Sequence, residues 1–296
     1  MVNRKKIEIN PKFRPPLVSP RSASPFGFGL WILLAIWSLE IGISLVLAHG
    51  DLHPRIEALT REIATNSSNA ALYFERGELH RVHREWTNAL ADYDQAQKLN
   101  PTLIRVDFCR GRLWLEAEDP KAAIAPLNRY LAFVTNDSTG YATRARARAQ
   151  LGDHRNAAND FTRAVALTPT GSPEFYVERA EALNAAGSRD EAVRGLDEGI
   201  ARMGPLVTLE LLAIDIETQL KRYDSALKRV DTVMTRLQRK ESWLVRRAEI
   251  LKLAGRAEES RTAYREALAA IEQLPPTHRT TRATLQLEAS IRSALR

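Results

Sequence analysis

Apolar residues along the chain recur in blocks of two amphipathic runs. In the first block one run spans Ala70–Val82 and a second spans Thr87–Leu99. Within the second run, Ala89, Tyr93 and Ala96 follow the spacing i, i+4, i+7, which places them on one face of a helix. The block therefore predicts a helical hairpin that buries one face of each helix.

The same pattern continues to residue 274. A small residue recurs with spacings of 34, 34, 35, 34 and 34 residues, at Ala89, Ala123, Ala157, Ala192, Ala226 and Ser260. A bulky apolar residue follows four positions later in each block, at Tyr93, Leu127, Phe161, Leu196, Val230 and Tyr264. A fixed period of this length with two helices per block predicts a solenoid, in which each block buries its apolar faces only against its neighbours.

The periodic residues resemble the motif of the tetratricopeptide repeat family. The first block supplies Tyr73, Gly77, His80, Ala89, Tyr93, Ala96 and Pro101, and the third supplies Tyr141, Ala145, Ala157, Phe161, Ala164 and Pro169. The closing proline of the motif is lost after the third block. The resemblance implies an all-α fold, a right-handed α-solenoid of about six helix-turn-helix units over 70–274, at 70–103, 104–137, 138–171, 173–206, 207–240 and 241–274.

Small residues and capping residues refine this prediction. Close packing of the two helices of a unit is expected at the small residues Gly77, Gly111 and Ala145. Asp119 before Pro120 predicts a capping acid followed by a first-turn proline. Three first helices are expected to end in a left-handed glycine, at Gly152, Gly187 and Gly255.

Two capping segments are expected at the ends of the array, because terminal repeats of a solenoid need a cover with a polar outer side. Residues 49–69 predict a linker and an N-terminal capping helix that starts near Pro54. Residues 275–296 predict a C-terminal capping helix with Thr277 as its N-cap and Ile291 on its inner side. Within the fourth unit, Ser188 with Glu191 predicts a capping box.

The N-terminal part of the chain differs from the repeats. Residues 1–25 predict a basic, Pro-rich disordered tail. Residues 26–48 contain Glu40 as their only ionisable group, and this length is enough for a helix to cross a hydrocarbon core of about 30 Å. Basic residues before the segment place the N-terminus in the cytoplasm and the repeats across the membrane.

Three readings of residues 26–48 remain open. The segment is a signal peptide cleaved near Ala48, a retained membrane anchor, or a buried helix of a cytosolic protein. In the first two cases the protein is exported across the cytoplasmic membrane. It is then either periplasmic or secreted, or a single-pass membrane protein with its N-terminus inside.

Charge and composition exclude several function classes. The net charge is +7, but residues 1–27 hold six Lys or Arg against one Glu, so the repeats lack the concentrated basic stripe that nucleic-acid binding needs. The chain has no Gly-rich phosphate loop, nucleophile elbow or His-Glu-x-x-His run. We therefore expect no catalytic residues and no cofactor.

Histidine and cysteine offer little for a metal site. His80 and His83 stand at i, i+3, and cleavage after residue 48 would leave His49 at the N-terminus with His53 nearby. No cluster of further ligand residues joins either pair, so we expect no bound metal. Cys109 is the single cysteine and is expected to be a small buried hydrophobe.

The family resemblance implies that the first helix of each unit lines a concave groove. Carried over to this sequence, the candidate protein-binding residues are Phe74, Glu78, Arg81, Arg105, Phe108, Arg112, Glu116, Arg146, Gln150, Glu181, Asn184, Asp215, Glu249 and Lys252. The first half of this groove is expected to be basic with two partly exposed aromatic rings, and the second half mostly acidic. Such polarity would orient an extended peptide or an amphipathic helix with its acidic part toward the second unit. Alternatively, the charges are ordinary solvated groups and both rings pack between units.

The sequence thus predicts a non-enzymatic protein–protein interaction scaffold. It is expected to be exported or membrane-anchored and to bind a peptide or helix of a protein partner in the concave groove. The alternative is an accessory subunit of a membrane or periplasmic enzyme or transport complex, docking through its convex face or its terminal helix. No motif in the sequence identifies the partner.

Overall fold

A computed structural model describes residues 52–296, and every regular element in this range is an α-helix. The helices are α1 (Leu52–Thr65), α2 (Ala70–Val82), α3 (Trp86–Leu99), α4 (Arg105–Glu116), α5 (Pro120–Phe133), α6 (Ser138–Gln150), α7 (His154–Ala166), α8 (Pro173–Ala185), α9 (Arg189–Met203), α10 (Val207–Gln219), α11 (Tyr223–Met234), α12 (Glu241–Leu253), α13 (Ala257–Glu272), α14 (Pro276–Arg279) and α15 (Arg282–Ala294).

Residues 59–296 form one compact body. Six hairpins, α2–α3 to α12–α13, follow one another as repeats 1 to 6, and each second helix packs on the first helix of its own repeat and of the next. The first helices α2 and α4, α4 and α6, and α8 and α10 also contact each other directly. We refer to the surface of the first helices (α2, α4, α6, α8, α10, α12) as the inner face and to that of the second helices (α3, α5, α7, α9, α11, α13) as the outer face. The predicted all-α solenoid is confirmed.

The periodic residues form the core of each hairpin. All six small residues of the period are buried, and so are the six bulky residues that follow them. The two helices pack so closely that a Cβ atom added at Gly77 would lie 2.9 Å from the ring of Tyr93. At Gly111 it would lie 2.4 Å from Cγ of Leu127. The predicted close packing at these small residues is therefore confirmed.

The turn inside each hairpin requires a left-handed residue. Gly152, Gly187 and Gly255 have φ of 78°, 78° and 75°, as the sequence predicts. The equivalent positions of the other repeats have φ of 61°, 60° and 59°, although they are occupied by Arg84, Glu118 and Lys221. In every repeat the next residue donates its backbone N–H to the carbonyl five residues earlier, for example Glu85 to His80 at 2.8 Å. This hydrogen bond belongs to the Schellman motif, which forces a positive φ even where glycine is absent.

Of the three helix caps that the sequence predicts, the structure contains one and lacks two. The Asp119 carboxylate accepts from the backbone N–H of Ala122 at 2.9 Å, as predicted. The capping box at Ser188 is wrong, because its hydroxyl and the Glu191 carboxylate both accept from Arg155 of the preceding repeat, at 3.1 and 3.0 Å. The side chains therefore join two repeats instead of closing one helix end.

The cap at Thr277 is also wrong. Thr277 lies within the short helix α14, and α15 begins later, with Thr281 as its N-cap. The Thr281 hydroxyl accepts from the backbone N–H of Thr284 at 3.3 Å. Ile291 is fully buried against the last repeat, as expected for a capping helix.

The tail over 1–25 and the apolar segment over 26–48 lie outside the described residues. Within 52–296, no helix combines the length and the apolar character needed to cross a membrane.

Candidate functional site

Much of the positive charge of the repeats lies in structural ion pairs. Arginine occupies position seven of the first helix in five of the six repeats, at Arg76, Arg110, Arg144, Arg179 and Arg247. In repeat 1, Nε and Nη2 of Arg76 donate to the two carboxylate oxygens of Asp92 at 2.8 and 2.6 Å, and this hydrogen bonding raises the pKa of Arg76. Arg144 binds Asp160 in the same way, at 2.8 and 2.7 Å. Bidentate charge-assisted pairs of this kind fix the two helices of a hairpin.

The inner face at the joint between repeats 1 and 2 is closed by an ion-pair network. Arg81 is 7% exposed, its Nη1 lies 2.6 Å from both carboxylate oxygens of Glu116, and its Nε lies 3.1 Å from Glu78. Burial lowers the pKa of Arg81, but the hydrogen bonds to the two glutamates outweigh burial and raise it. Glu78 also accepts from the Tyr93 hydroxyl, and together these bonds lower its pKa despite burial. Three predicted groove residues, one cation and two carboxylates, are thus bound to one another.

The two predicted groove aromatics contribute little free surface. Phe108 is 9% exposed and its ring centroid lies 5.2 Å from that of Tyr130. Phe74 is half-buried, with its ring centroid 6.2 Å from that of Tyr93. The interpretation that both rings pack in the array therefore describes Phe108 fully and Phe74 in part.

Free positive charge is also scarce in this half. Arg112 lies 3.7 Å from Glu116, with its guanidinium carbon 5.8 Å from the Phe108 ring centre. Arg105 is exposed and makes no ion pair within the described residues. Of the basic residues expected in the first half of the groove, Arg105 is thus the one available to a ligand.

The joint between repeats 3 and 4 is open by comparison. Nε and Nη2 of Arg146 donate to the Glu178 carboxylate at 2.8 and 3.0 Å. Beside this pair, a cleft of about 310 Å³ opens between α6 and α8, lined by Arg146, Ala149, Gln150, His154, Phe161, Glu178, Glu181, Ala182 and Ala185. The structure therefore brings together three predicted groove residues, Arg146, Gln150 and Glu181.

Glu181 carries the unpaired charge of this cleft. Its carboxylate makes no hydrogen bond or ion pair with any residue in the described part of the chain. Partial loss of hydration raises its pKa, and the negative charge of Glu178 raises it further. The cleft thus combines an uncompensated carboxylate with apolar walls, an arrangement that suits the side chain of lysine or arginine.

The remaining candidate residues are spread along repeats 4 to 6. Asn184 accepts from Nε of Arg189 at 3.1 Å, and Asp215 pairs with Arg246. Burial raises the pKa of Glu249, an effect that the positive charge of Arg246 opposes. Lys252 is exposed at the end of α12. These residues do not line the cleft at repeats 3 and 4.

Sequence reasoning missed Glu178, the partner of Arg146. The two residues are 32 positions apart, and the same spacing joins three ion pairs on the outer face, Arg222 with Asp190, Arg229 with Asp197 and Arg256 with Asp224. Opposite charges at this spacing are visible in the sequence and mark pairs across a joint between repeats.

Other chemistry is absent from the part of the chain that the structure describes. Cys109 is 2% exposed, and burial together with the charge of Glu78 raises its pKa to about 12, so the thiol stays protonated. Its predicted place as a small buried hydrophobe is confirmed. Nδ1 of His80 lies 2.6 Å from Glu85. No group of three or more His, Cys, Asp or Glu among residues 52–296 is placed to hold a metal.

A family model and solved structures of known proteins both support the fold. The tetratricopeptide repeat family model matches residues 55–104 and 143–206. A tetratricopeptide repeat protein from Parabacteroides merdae ATCC 43184 is similar in structure, with 19% identity, coverage of 83% of this chain and 94% of that one, and a TM-score of 0.50. Among curated proteins, no sequence matches this chain.

Two further structures share the fold. PilW, described as a widely conserved type IV pilus biogenesis factor, has 17% identity over 69% of this chain and 90% of its own, with a TM-score of 0.50. A structure of Naa15/Naa10 bound to HypK-THB has 15% identity over 84% of this chain and 39% of that one, with a TM-score of 0.53. At these identities the likeness concerns the fold. Together with the period of the sequence and the family model matched over two stretches, it shows that this chain has the fold of tetratricopeptide repeat proteins.

Proposed function

We propose that the protein is a non-enzymatic interaction scaffold that binds a basic segment of a partner protein on its inner face, at the joint between repeats 3 and 4. The observation that carries this proposal is the unpaired carboxylate of Glu181 at a cleft of about 310 Å³. Tetratricopeptide repeat proteins are in general interaction scaffolds, and the array offers a continuous surface to an extended ligand. The structure of Naa15/Naa10 bound to HypK-THB illustrates this fold within a protein complex.

The lining of the cleft specifies the ligand chemistry. The aliphatic stem of a lysine or arginine packs against Ala149, Ala182 and Ala185, while its charged end pairs with Glu181. Glu181 is exposed at the cleft, so its charge mainly selects and orients a basic side chain, while packing of the aliphatic stem adds to affinity. Arg105, the exposed cation nearer the start of the array, favours an acidic part of the same ligand in that direction.

A photo-crosslinking experiment tests this site. Gln150 is exposed at the edge of the cleft, so a benzoylphenylalanine placed there in the full-length chain labels whatever segment binds. We expect crosslinked partner peptides that contain Lys or Arg, and we expect Glu181→Lys to abolish the crosslink. Glu266→Lys, an exposed glutamate on the outer helix α13, is the matched control. Crosslinking that is unchanged by Glu181→Lys would contradict the proposal.

We also propose that the repeats lie across the cytoplasmic membrane from the N-terminus. This rests on residues 26–48, which hold one ionisable residue in a stretch long enough to span the hydrocarbon core. The mass of the mature protein distinguishes cleavage near Ala48 from a retained anchor. Degradation of the repeats by protease added to intact spheroplasts is the expected result, and full protection of the repeats would place them in the cytoplasm.

An accessory subunit that docks through its outer face or terminal helix is the second candidate. It is favoured by Phe133 at the end of α5, whose exposure is 77%, and by Leu285 on α15, whose exposure is 51%. Aromatic side chains are enriched in the buried centre of protein interfaces, so an exposed Phe133 suits such a contact. Loss of complex formation in Phe133→Ser, with unchanged crosslinking from position 150, would support this candidate.

A further inference from the structure

The arginine at position seven of a repeat forms an ion pair with a carboxylate at one of two positions of the array. In repeats 1 and 3 the partner stands at position 23 of the same repeat, as Asp92 and Asp160. In repeats 2 and 6 it stands at position 25 of the preceding repeat, where Asp94 lies 2.6 Å from Arg110 and Asp231 lies 3.1 Å from Arg247. Each of these four arginines is therefore neutralised by a residue that the repeat period supplies.

Arg179 in repeat 4 has neither partner. Gly195 occupies position 23 of its own repeat, and Thr162 occupies position 25 of the preceding one. Nη2 donates to the Gly195 carbonyl at 3.0 Å and to the half-exposed Glu198 carboxylate at 2.7 Å. Nε is buried and has no hydrogen-bond partner. The side chain is 7% exposed, so an unused N–H of a cation is held away from bulk water, which is unfavourable without a ligand.

A cleft of about 260 Å³ lies directly beside this guanidinium. It opens on the outer face between α7 and α9, and its lining residues are Ala158, Asn159, Thr162, Arg179, Leu183, Glu191, Arg194, Gly195 and Glu198. Its volume corresponds to roughly nine water molecules at about 30 Å³ each, enough for a carboxylate side chain.

The charges at the rim favour an anion. Glu191 already accepts from Arg155 at 3.0 Å, and Glu198 is paired with Arg179. Arg194 is exposed and has no ion pair among residues 52–296. Because Arg179 is paired with Glu198 and Glu191 with Arg155, the donors left for an anion are the guanidinium of Arg194 and the unbonded Nε–H of Arg179.

The approach of a ligand is set by Gly195. A Cβ atom at this position would lie 3.0 Å from Nη2 and 3.3 Å from Nε of Arg179, so the guanidinium packs directly on the glycine backbone. Thr162 lines the same cleft and stands at the repeat position from which Asp231 reaches Nε of Arg247. A ligand carboxylate beside Thr162 would give Arg179 of repeat 4 the contact that Asp231 of repeat 5 gives Arg247 of repeat 6.

We propose that this outer cleft binds the carboxylate of an aspartate or glutamate side chain from a partner protein, with Arg179 as the principal donor. The site is separate from the inner cleft, because Arg179 and Glu181 are two positions apart on α8 and therefore point about 200° apart around the helix. The two sites select opposite charges, so one array can hold an acidic segment outside and a basic segment inside.

The test uses two short blocked peptides that differ in one group, acetyl-Ala-Glu-Ala-amide and acetyl-Ala-Gln-Ala-amide. Each is titrated into the full-length chain at fixed ionic strength, and the Nε–H nuclear magnetic resonance signal of Arg179, identified by its loss in Arg179→Lys, is followed. The glutamate peptide is expected to shift this signal saturably, and the glutamine peptide is expected to leave it in place. Equal shifts with both peptides, or none with either, would overturn the proposal.

Thr162→Asp and Thr162→Asn form a matched pair of variants. Thr162 is exposed, so both variants should fold. Thr162→Asp places a carboxylate at position 25, where repeats 1 and 5 have Asp94 and Asp231, and it should weaken glutamate-peptide binding by about ten-fold or more. Thr162→Asn keeps the shape without the charge and should retain binding. Unchanged affinity in Thr162→Asp would contradict the assignment, whatever the result for Glu181 at the inner cleft.

Discussion

The joint between repeats 1 and 2 and the joint between repeats 3 and 4 are built from equivalent helices but present different inner surfaces. At the first joint, Arg81 is buried and shared between two glutamates, one of which is Glu116 across the joint. At the second, Arg146 and Glu178 pair with side-chain exposures of 43% and 27%, and Glu181 beside them is left without a partner. Equivalent helices therefore carry a closed ion-pair network at one joint and a cleft at the other.

This difference shows that charge counted along a sequence is not charge available to a ligand. The first half of the inner face contains enough arginine to predict a basic groove, yet Arg81 and Arg112 both have glutamate partners. In a stack of repeats, each charged position faces the neighbouring repeat as well as solvent. Whether it stays free depends on what stands 31 to 36 residues away, as for Arg81 with Glu116 and Arg146 with Glu178.

The largest expected effect separates the two joints by stability. Arg81→Met leaves Glu78 without its cation and Glu116 with only the more distant Arg112, and it should lower the free energy of unfolding by about 2–3 kcal/mol. Arg146→Met breaks a more exposed pair and should lower it by less than about 1 kcal/mol. Urea denaturation followed by circular dichroism measures both. Equal losses would mean that the two joints do not differ as described.

Close packing within hairpins gives the next largest effect. Gly111→Ala should destabilise by about 1–3 kcal/mol although alanine is the better helix former, because the new Cβ would lie 2.4 Å from Leu127. Repeat 3 has Ala145 at the equivalent position and already accommodates a Cβ there. Ala145→Gly is the control and should cost about 0.5–1 kcal/mol. A stabilised Gly111→Ala variant would show that this crossing has room.

A smaller effect of opposite sign is expected in the turns. Lys221 has a φ of 59° where repeat 6 has Gly255, so Lys221→Gly should raise the free energy of unfolding by about 0.5–1 kcal/mol. Lys221→Ala keeps the strained backbone and should give no such gain. Thermal unfolding of the two variants distinguishes relief of strain from loss of the lysine charge.

The smallest effect concerns Glu181. Reduced hydration and the nearby Glu178 raise the pKa of Glu181, so the folded protein holds this proton more tightly than the unfolded chain does. Stability is therefore lost as the pH rises from the ordinary glutamate pKa of 4.5 through the raised value. Glu181→Gln should be slightly more stable than the parent at pH 7 and equal to it at pH 4. A constant difference between these pH values would contradict the raised pKa.

The period alone predicted most of the fold, because burial at Ala89, Tyr93 and their successors follows directly from helix geometry. The left-handed turns were predicted where glycine stands, but not at Arg84, because a Schellman hydrogen bond imposes φ there independently of residue type. The closed network at Arg81 and the partner of Arg146 were missed for another reason. Both depend on which side chain of the adjacent repeat comes within reach, and this is set by the stacking of helices.

The candidate binding surface was accordingly predicted as a continuous groove along the first helices. In the structure, the joint between repeats 1 and 2 is closed by ion pairs and the joint between repeats 3 and 4 is open. The sequence placed Arg146, Gln150 and Glu181 along one predicted groove, and their common position at a single cleft comes from the structure. The apolar floor at Phe161 and the role of Glu178 follow only from the way α6 and α8 both pack on α7.

The most direct test compares charge reversal at the two joints against the same crosslink-identified partner segment. Affinity for a synthetic peptide of that segment would be measured with Glu181→Lys at the open joint and with Arg112→Glu at the closed one. Binding through the open joint predicts about ten-fold or greater loss in Glu181→Lys and about three-fold or smaller loss in Arg112→Glu. The reverse ranking would place the partner on repeats 1 and 2 and contradict the account.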